Sequence, residues 1–520
     1  MNAGNQCKVC RKNTDQKCGK CQQIFYCCKE HQMTDWKRHR KSCHPFKLLS
    51  DGTVGRFLSV IRDLNRNEVI LKETPLIVGP SQVTVPVCLG CHQEISRENY
   101  KTCSKCGWPM CSSKCEKNLA HLPECYLTKQ SGQKISIENF GDINPLYQWV
   151  TVLRCLYQKQ HNSLVWSKLI GLESHCEQRQ AMSSYRNEQA MATEVLQTFF
   201  KLDSFTMEEI MKIIGVIMVN SHEVPLSEPP YLAIFEKSSM LEHNCRSNCT
   251  KSFTEAGEIL IVSGVPIKKG EHLSICYADP LWNTARRRAF LYETKYFWCS
   301  CPRCLDPSEF GTYFSAVRCQ NGDCSGCLLP AGFLDINDSS KWACNKCTSS
   351  VSNLLVSVLL NKIETELLQL DDRNVEAHRS FIKKLGRILP PKSCYLSEAK
   401  LQLIQLVGSL DQKGLSDMEL DLRRMFCTEL AELTEIMIPS EKRVRGTVLF
   451  QLHACLAELA RRMSSMGLDR KRAHSTLQKS KIHLEECIEL LKFEPLVLPE
   501  GKIYQQAQKN LLDMKRFFSQ

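Results

Sequence analysis

The chain has 520 residues, 43% of them apolar, a formal net charge of +12 and 31 cysteines. That length and composition support about two to four domains with real cores, and no run of about eighteen apolar residues is present that would span a bilayer. The first residues lack the basic-then-apolar order of a secretory signal. The expectation is therefore a reducing compartment, cytoplasm or nucleus, where paired cysteines hold metal rather than disulfides.

In chain order the first element is a metal module. Cys7, Cys10, Cys18, Cys21, Cys27, His31, His39 and Cys43 form four consecutive ligand pairs, enough for two closed tetrahedral zinc sites. The stretch is short and poor in large apolar residues, so metal binding is expected to supply most of its folding free energy. Residues 1–50 hold eleven Lys or Arg against three acidic residues, a net +8 in the first tenth of the chain. Such a face attracts nucleic acid or acidic protein segments, or is simply solvated; nucleic acid is not the favoured partner, and no membrane is expected.

Residues 54–60 and 68–78, with Asn65-Arg66-Asn67 between them, alternate as short strands of a hairpin or meander. Cys88, Cys91, Cys103, Cys106, Cys111, Cys115, His121 and Cys125 then repeat the ligand order of the first module with different gaps. Residues 140–200 read as mostly helical. An apolar helix follows to about Val219, with Thr206 and Glu209 at capping-box spacing. Strands return at Ile259-Leu260-Ile261-Val262 and His272-Leu273-Ser274-Ile275-Cys276, flanking a tight turn at Lys268-Lys269-Gly270-Glu271.

Cys299, Cys301 and Cys304 leave a zinc ion one ligand short, a place that any nearby donor could fill and that Cys245 in the His-x-Cys-x-x-Asn segment is expected to take. That closure would pin the segment after residue 298 against the strand carrying His243. Cys319, Cys324, Cys344 and Cys347 read as a four-cysteine ribbon, with Cys327 as an extra thiol; counted together, the ligand sets call for about six zinc ions. From Val351 the cysteine clusters give way to helical stripes. Leu354, Leu355, Val358, Leu359, Ile363, Leu367 and Leu370 form the first; others cover 396–410, 416–437, 442–465, 471–493 and 502–517. These stripes are expected to be core in a TPR-like array, although no 34-residue consensus is visible.

Phe25-Tyr26-Cys27-Cys28-Lys29-Glu30-His31, followed by Asp35-Trp36 and His39-Arg40-Lys41-Ser42-Cys43, resembles a MYND finger. The resemblance implies interleaved sites, pairs one and three on one zinc and pairs two and four on the other, and a docking surface for proline-containing peptides. His243-Asn244-Cys245-Arg246-Ser247-Asn248-Cys249, Gly270 to Tyr277 and Phe297-Trp298-Cys299-Ser300-Cys301-Pro302-Arg303-Cys304 resemble the SET domain of lysine methyltransferases, in the SET and MYND domain (SMYD) family. A finger at 88–125 holds that family's usual interrupting position, so the finger at 7–43 is the extra one, as in the insect SmydA branch.

The fold class this implies is α+β and multidomain: a β-rich SET fold interrupted by a zinc module, an extra N-terminal MYND finger, a post-SET zinc site and an all-α C-terminal domain. The boundaries are 1–46 for the MYND finger, 47–86 for the first SET part and 87–127 for the second finger. A helical insert at 128–198, SET core at 199–280, post-SET motif at 281–306, ribbon at 307–350 and helical domain at 351–520 complete the chain. The C-terminal helices are expected to pack over the SET cleft.

By resemblance S-adenosylmethionine is the methyl donor, a protein lysine such as one on a histone tail the acceptor, and Tyr277 the catalytic residue. Gly55, Asn220, His243, Tyr277 and Phe297 would hold the cofactor. The chain departs from the pattern at Gly52-Thr53-Val54-Gly55, where only the second glycine of a Gly-x-Gly turn survives. It departs again at Glu242 for asparagine, Ser247 for proline, Lys295 for an aromatic hydroxyl, and His222 for a channel aromatic. Two readings stay open: a lysine methyltransferase, or a non-catalytic zinc scaffold that recruits corepressors or histone deacetylases.

Overall fold

The computed structural model describes residues 6–21, 24–40, 43–52, 54–334, 339–371, 373–408, 414–465 and 470–518. Lys41, Ser42 and Thr53, named above, lie outside them. The first finger is a small unit whose helix Lys29–His39 buries only Asp35 and the ligand His39. Its core consists of Cys7, Cys18, Cys21, Tyr26 and Cys43.

The β-core is assembled from short strands far apart in sequence. Gly55–Val60 pairs antiparallel with Phe46–Asp51. The expected hairpin between 54–60 and 68–78 does not form, because the turn between them is tied to a later strand. Asn67 N–H donates to the Ser263 carbonyl at 2.9 Å and Glu68 N–H to Ser263 Oγ at 2.8 Å. Val69–Glu73 therefore runs beside Ile259–Ser263, which also pairs with Cys249–Phe253. Ile77–Pro80, Tyr231–Ile234 and Ser221–Val224 make a second sheet.

The turn at 268–271 is present, with Gly270 at φ +91°, a backbone conformation that favours glycine. The strands on either side of it are not each other's partners. Ser274–Ile275 runs parallel to Glu242–His243 instead, which brings the segment ending in Tyr277 alongside the one starting at His243.

The apolar helix Met207–Asn220 has the expected capping box on Thr206 and Glu209. It packs with Tyr147–His161 and the second finger into one large core, in which Trp108, Tyr147 and Leu153 are fully buried. Cys319 and Cys324 face Cys347 and Cys344 across a four-stranded sheet of 317–352. Cys327 is buried on the strand Cys327–Pro330 of that sheet, and its N–H donates to Asn345 Oδ1.

Beyond the ribbon lie the helices Asn353–Leu368, Cys394–Gly408, Asp417–Met437, Lys442–Ser465, Arg470–Leu491 and Pro499–Phe518. The stripe read on the first is corrected. Leu354, Leu355 and Val358 are exposed, whereas Ile363 and Leu367 of the same stripe are buried, Leu359 and Leu370 pack beside them, and Val356 joins them from outside it. A helix at Val375–Leu385 also escaped the pattern analysis; its only fully buried positions are His378, Phe381 and Leu385.

The turn between Asp417–Met437 and Lys442–Ser465 sits on the β-core. Ser440 Oγ bonds Ser247 Oγ at 2.6 Å, Arg246 Nε donates to the Ile436 carbonyl, and Lys442 Nζ donates to Asn67 Oδ1. Gly264 is required there, since an added Cβ would lie 2.3 Å from Ser440 Cβ.

Candidate active site and metal centres

Sulfur and imidazole ligands gather in sets of four, the atoms of each set within 4.8 Å of one another. Cys7, Cys10, Cys27 and His31 form one; Cys18, Cys21, His39 and Cys43 a second; Cys88, Cys91, Cys111 and Cys115 a third; Cys103, Cys106, His121 and Cys125 a fourth. Pairs one and three thus share a site in each finger, and pairs two and four the other. Soft, tetrahedrally disposed donors of this kind suit zinc, and four protein ligands leave no open position for a reacting water. A hydrogen bond from Cys91 pulls the Cys88 thiol down to about 4, toward the thiolate a metal needs.

The histidine ligands are oriented from behind. Tyr26 Oη donates to Asp35 Oδ2 at 2.7 Å and lies 2.8 Å from His39 Nδ1, while His39 Nε2 faces Cys21 Sγ. In the second finger Glu124 Oε1 is 3.0 Å from His121 Nδ1. Glu124 is fully buried and is also paired with Arg154, at 2.7 Å and 2.8 Å. Such outer partners fix ring orientation and raise ligand basicity.

Cys245, Cys299, Cys301 and Cys304 close the fifth set. Neighbouring thiols, Cys276 first, hold Cys245 far below the usual thiol range. Its Sγ also accepts a hydrogen bond from Arg287 Nε at 3.3 Å. Arg287 shares the buried carboxylate of Glu309 with Arg303, so the excess negative charge of a four-thiolate site meets a fixed cation. Arg287 and Glu309 stood in no motif, and Arg303 and Cys276 stood in motifs without a role, because what each does depends on groups that only the fold brings to Cys245.

His243 belongs to this clamp. Tyr277 N–H donates to its Nδ1 at 3.0 Å, so the ring proton sits on Nε2, 3.3 Å from Cys245 Sγ. The imidazole is spent on the metal site, and only the backbone at 243 remains for a cofactor. Asn248 fastens the same crossing, donating to the His272 carbonyl at 2.7 Å and accepting from Ser274 N–H at 2.9 Å.

The crossing forms one wall of a cavity of about 70 Å³ lined by Asn220, His222, Lys251, Cys276, Tyr277 and Lys295, among others. Tyr277 Oη donates to the Leu241 carbonyl, and burial pushes its pKa up. His222 stays neutral, its pKa driven down by burial and by the charges of Lys251 and Lys295. Lys295 Nζ donates to the carbonyls of Val219 at 2.7 Å and Met218 at 3.2 Å, and lies 5.9 Å from the centre of the Tyr277 ring.

Two departures from the family pattern are absorbed locally. Glu242 turns to His272 Nδ1 at 2.8 Å, and Ser247 bonds Ser440. Phe297 is half-buried with its ring 5.8 Å from that of His243. Gly55, at φ +72°, sits exposed at a hairpin tip with open space around it. The amide nitrogen of Asn220 is anchored to the carbonyls of Glu173 and Val216. Among the described residues its Oδ1 receives no hydrogen bond, which leaves an acceptor at the cavity edge.

Of the residues expected to hold the cofactor, Asn220 and Tyr277 line this cavity, and their spare amide oxygen and aromatic face suit a nucleoside sulfonium; Gly55, His243 and Phe297 are not part of its lining. The cavity itself is a fraction of the roughly 300 Å³ that a whole small-molecule site needs, so only the reacting ends of two partners would meet in it.

A β-core threaded between 243–249 and 272–277, closed by a four-cysteine clamp and interrupted by a zinc module, defines a SET-type protein. Residues 7–43 match the MYND finger family. SET domain-containing protein SmydA-8, isoform A, of Drosophila melanogaster is 27% identical over 380 residues, covering 70% of this chain and 79% of that protein. Histone-lysine N-methyltransferase ASHR1 of Arabidopsis thaliana is 26% identical, covering 60% of this chain and 65% of its own length. Histone-lysine N-methyltransferase SMYD3 of Mus musculus is 24% identical, over 48% and 59%. Together these matches support a place in the SET and MYND domain family, with a resemblance to the Drosophila SmydA protein.

Proposed function

We propose that the protein is an S-adenosylmethionine-dependent protein-lysine methyltransferase. The observation that carries this reading is the closure of Cys245 with Cys299, Cys301 and Cys304, which packs Phe297 and Tyr277 against the clamp and leaves Tyr277 lining one chamber with Asn220. Relatives named as histone-lysine N-methyltransferases support it. When bound, the cofactor supplies an electrophilic methyl group on a sulfonium.

This chain's residues do the rest by position and environment. Asn220 Oδ1 and the backbone at 243 orient the donor. The Tyr277 ring forms the channel wall, its hydroxyl fixed by the Leu241 carbonyl. Lys251 and Lys295 make the chamber electropositive, and nearby like charge favours the neutral form of an amine, which is the nucleophile methyl transfer requires.

Calorimetric titration with S-adenosylmethionine is the test. Binding is expected, and Tyr277→Phe should lower peptide-array labelling. Absence of both heat and thermal stabilisation at saturating cofactor removes the enzyme reading.

One observation favours a second role beside the first. Met33 and Trp36 project from the first finger, 69% and 42% exposed, next to Lys29, Lys37 and Arg40. An exposed apolar pair of this kind suits proline-containing segments of corepressors or deacetylase complexes.

A further inference from the structure

We propose that Lys295 is a modification site: its ε-amine lines the chamber beside Tyr277 and is methylated in cis, once. This rests on the methyltransferase reading above. Lys295 is the last residue of the helix Thr284–Lys295, and Tyr296 follows at φ +62°, turning the chain away. The side chain reaches the carboxyl end of Met207–Asn220, where the carbonyls of Met218 and Val219 have no partner within their own helix. A lysine there is a reasonable helix cap, favoured by the negative end of the dipole.

Capping does not account for the rest of its setting. The ammonium faces the Tyr277 ring, lines the same small cavity as Asn220, and shares it with a second lysine, Lys251. Among the described residues neither lysine has a carboxylate within ion-pair distance. Burial, and then the charge of Lys251, bring the Lys295 amine down to about 8, so it gives up its proton far more readily than a surface lysine. The groups facing it include His222, neutral; Lys251, its own pKa lowered by burial; Tyr277, un-ionised; the Cys276 thiol; and His175, whose pKa burial and the Lys295 charge lower against the pull of Glu173. Its place is where the family pattern has an aromatic hydroxyl.

The step balances without another reactant. Lys295 first loses a proton to solvent. Its nitrogen lone pair then forms the N–C bond to the sulfonium methyl of S-adenosylmethionine as the C–S bond breaks, and that bonding pair stays on sulfur as a neutral thioether. The product is a secondary ammonium with two N–H donors, matching the two carbonyls that hold it. A second methyl would leave one carbonyl unpaired, which is why the reaction should stop at one.

The full chain is incubated with S-adenosylmethionine and its peptides are mapped by mass. One methyl group on Lys295, gained at a rate independent of protein concentration, is the expected result. A rate that rises with concentration, or methyl groups only on other lysines, overturns the proposal. Calorimetry with S-adenosylhomocysteine separates the causes of a blank. Binding with an unmodified Lys295 leaves the methyltransferase reading standing and reduces Lys295 to a helix cap; no binding removes both.

A readout without cofactor is competitive labelling by acetic anhydride across pH. Lys295 should be slow to react and half-titrate near 8, whereas titration together with the surface lysines overturns the placement. Lys295→Arg should lose the methyl mark, while the wild-type measurements decide the matter if that variant misfolds.

Discussion

The two fingers carry the same ligand order but are held by different means. The first, at 7–43, has a core made almost entirely of its own ligands and Tyr26, and its side-chain ties to the β-core include Arg62 to the Lys20 carbonyl and, just beyond the last ligand, Lys237 to His44. The second, at 88–125, buries Leu89, Ile95, Trp108 and Met110 in the core shared with the helical insert. Arg154 reaches into it to bond Glu124 and the carbonyls of Leu89 and Val78. One sequence pattern thus yields a module folded by metal and another folded by metal plus packing. The packed copy is the one inserted in the SET core.

Chelation should break the comparison open most widely. Structural zinc in peptide models contributes on the order of 10 kcal/mol per site, with no large apolar core behind it in the first finger. Zinc release to a chromogenic chelator should be biphasic, with the first finger emptying early and becoming protease-sensitive while the second still protects its backbone amides. Equal release from both would show that packing adds nothing.

Next in size is Arg154→Met, which strands the buried Glu124 carboxylate and should cost about 3–5 kcal/mol in denaturant unfolding. Adding Glu124→Gln should recover much of that loss. No ion-pair substitution in the first finger has an equivalent effect, because among the described residues that finger holds no fully buried ion pair.

Tyr26→Phe sharpens the comparison from the other side. It removes the hydroxyl that orients His39, and loss of such an outer partner typically costs about 10–100-fold in metal affinity. Competition with a fluorescent zinc indicator would read it, and an unchanged affinity would mean that Asp35 alone suffices.

The last effect is an acid one, and it is the smallest near neutral pH. His92 of the second finger is buried, accepts from Arg154 and has its pKa lowered to about 3 by burial and the Arg154 charge. The unfolded chain takes up that proton near 6.5 and the folded chain does not. Stability from this residue is therefore complete above about pH 6.5 and falls by about 1.4 kcal/mol per unit as pH drops toward 3. His92→Gln should flatten the slope of unfolding free energy against pH by about one proton in zinc-saturated protein.

Ligand spacing was legible because zinc imposes it: a Cys-x-x-Cys pair can reach one ion only in a tight turn, whatever surrounds it. The capping box at Thr206 and Glu209 was legible for the same local reason. Strand pairing was not. Val69–Glu73 chooses Ile259–Ser263 over its sequence neighbour, and nothing within 68–78 carries that preference. The exposed Leu354, Leu355 and Val358 show that a stripe fixes a helix but not which of its residues meet the core.

What this sequence determined alone is its chemistry by segment: which residues are metal donors, where helices start, and that the trio at 299–304 needs a fourth ligand. Tertiary structure decided what those pieces do to one another. It spent the His243 ring on a thiolate, turned Glu242 to His272, set Arg287 behind Cys245 and carried Lys295 to the face of Tyr277. The reason is physical: metal coordination and capping are satisfied within a few residues, whereas buried charge and hydrogen bonding are settled by whichever groups the completed fold brings within about 3 Å.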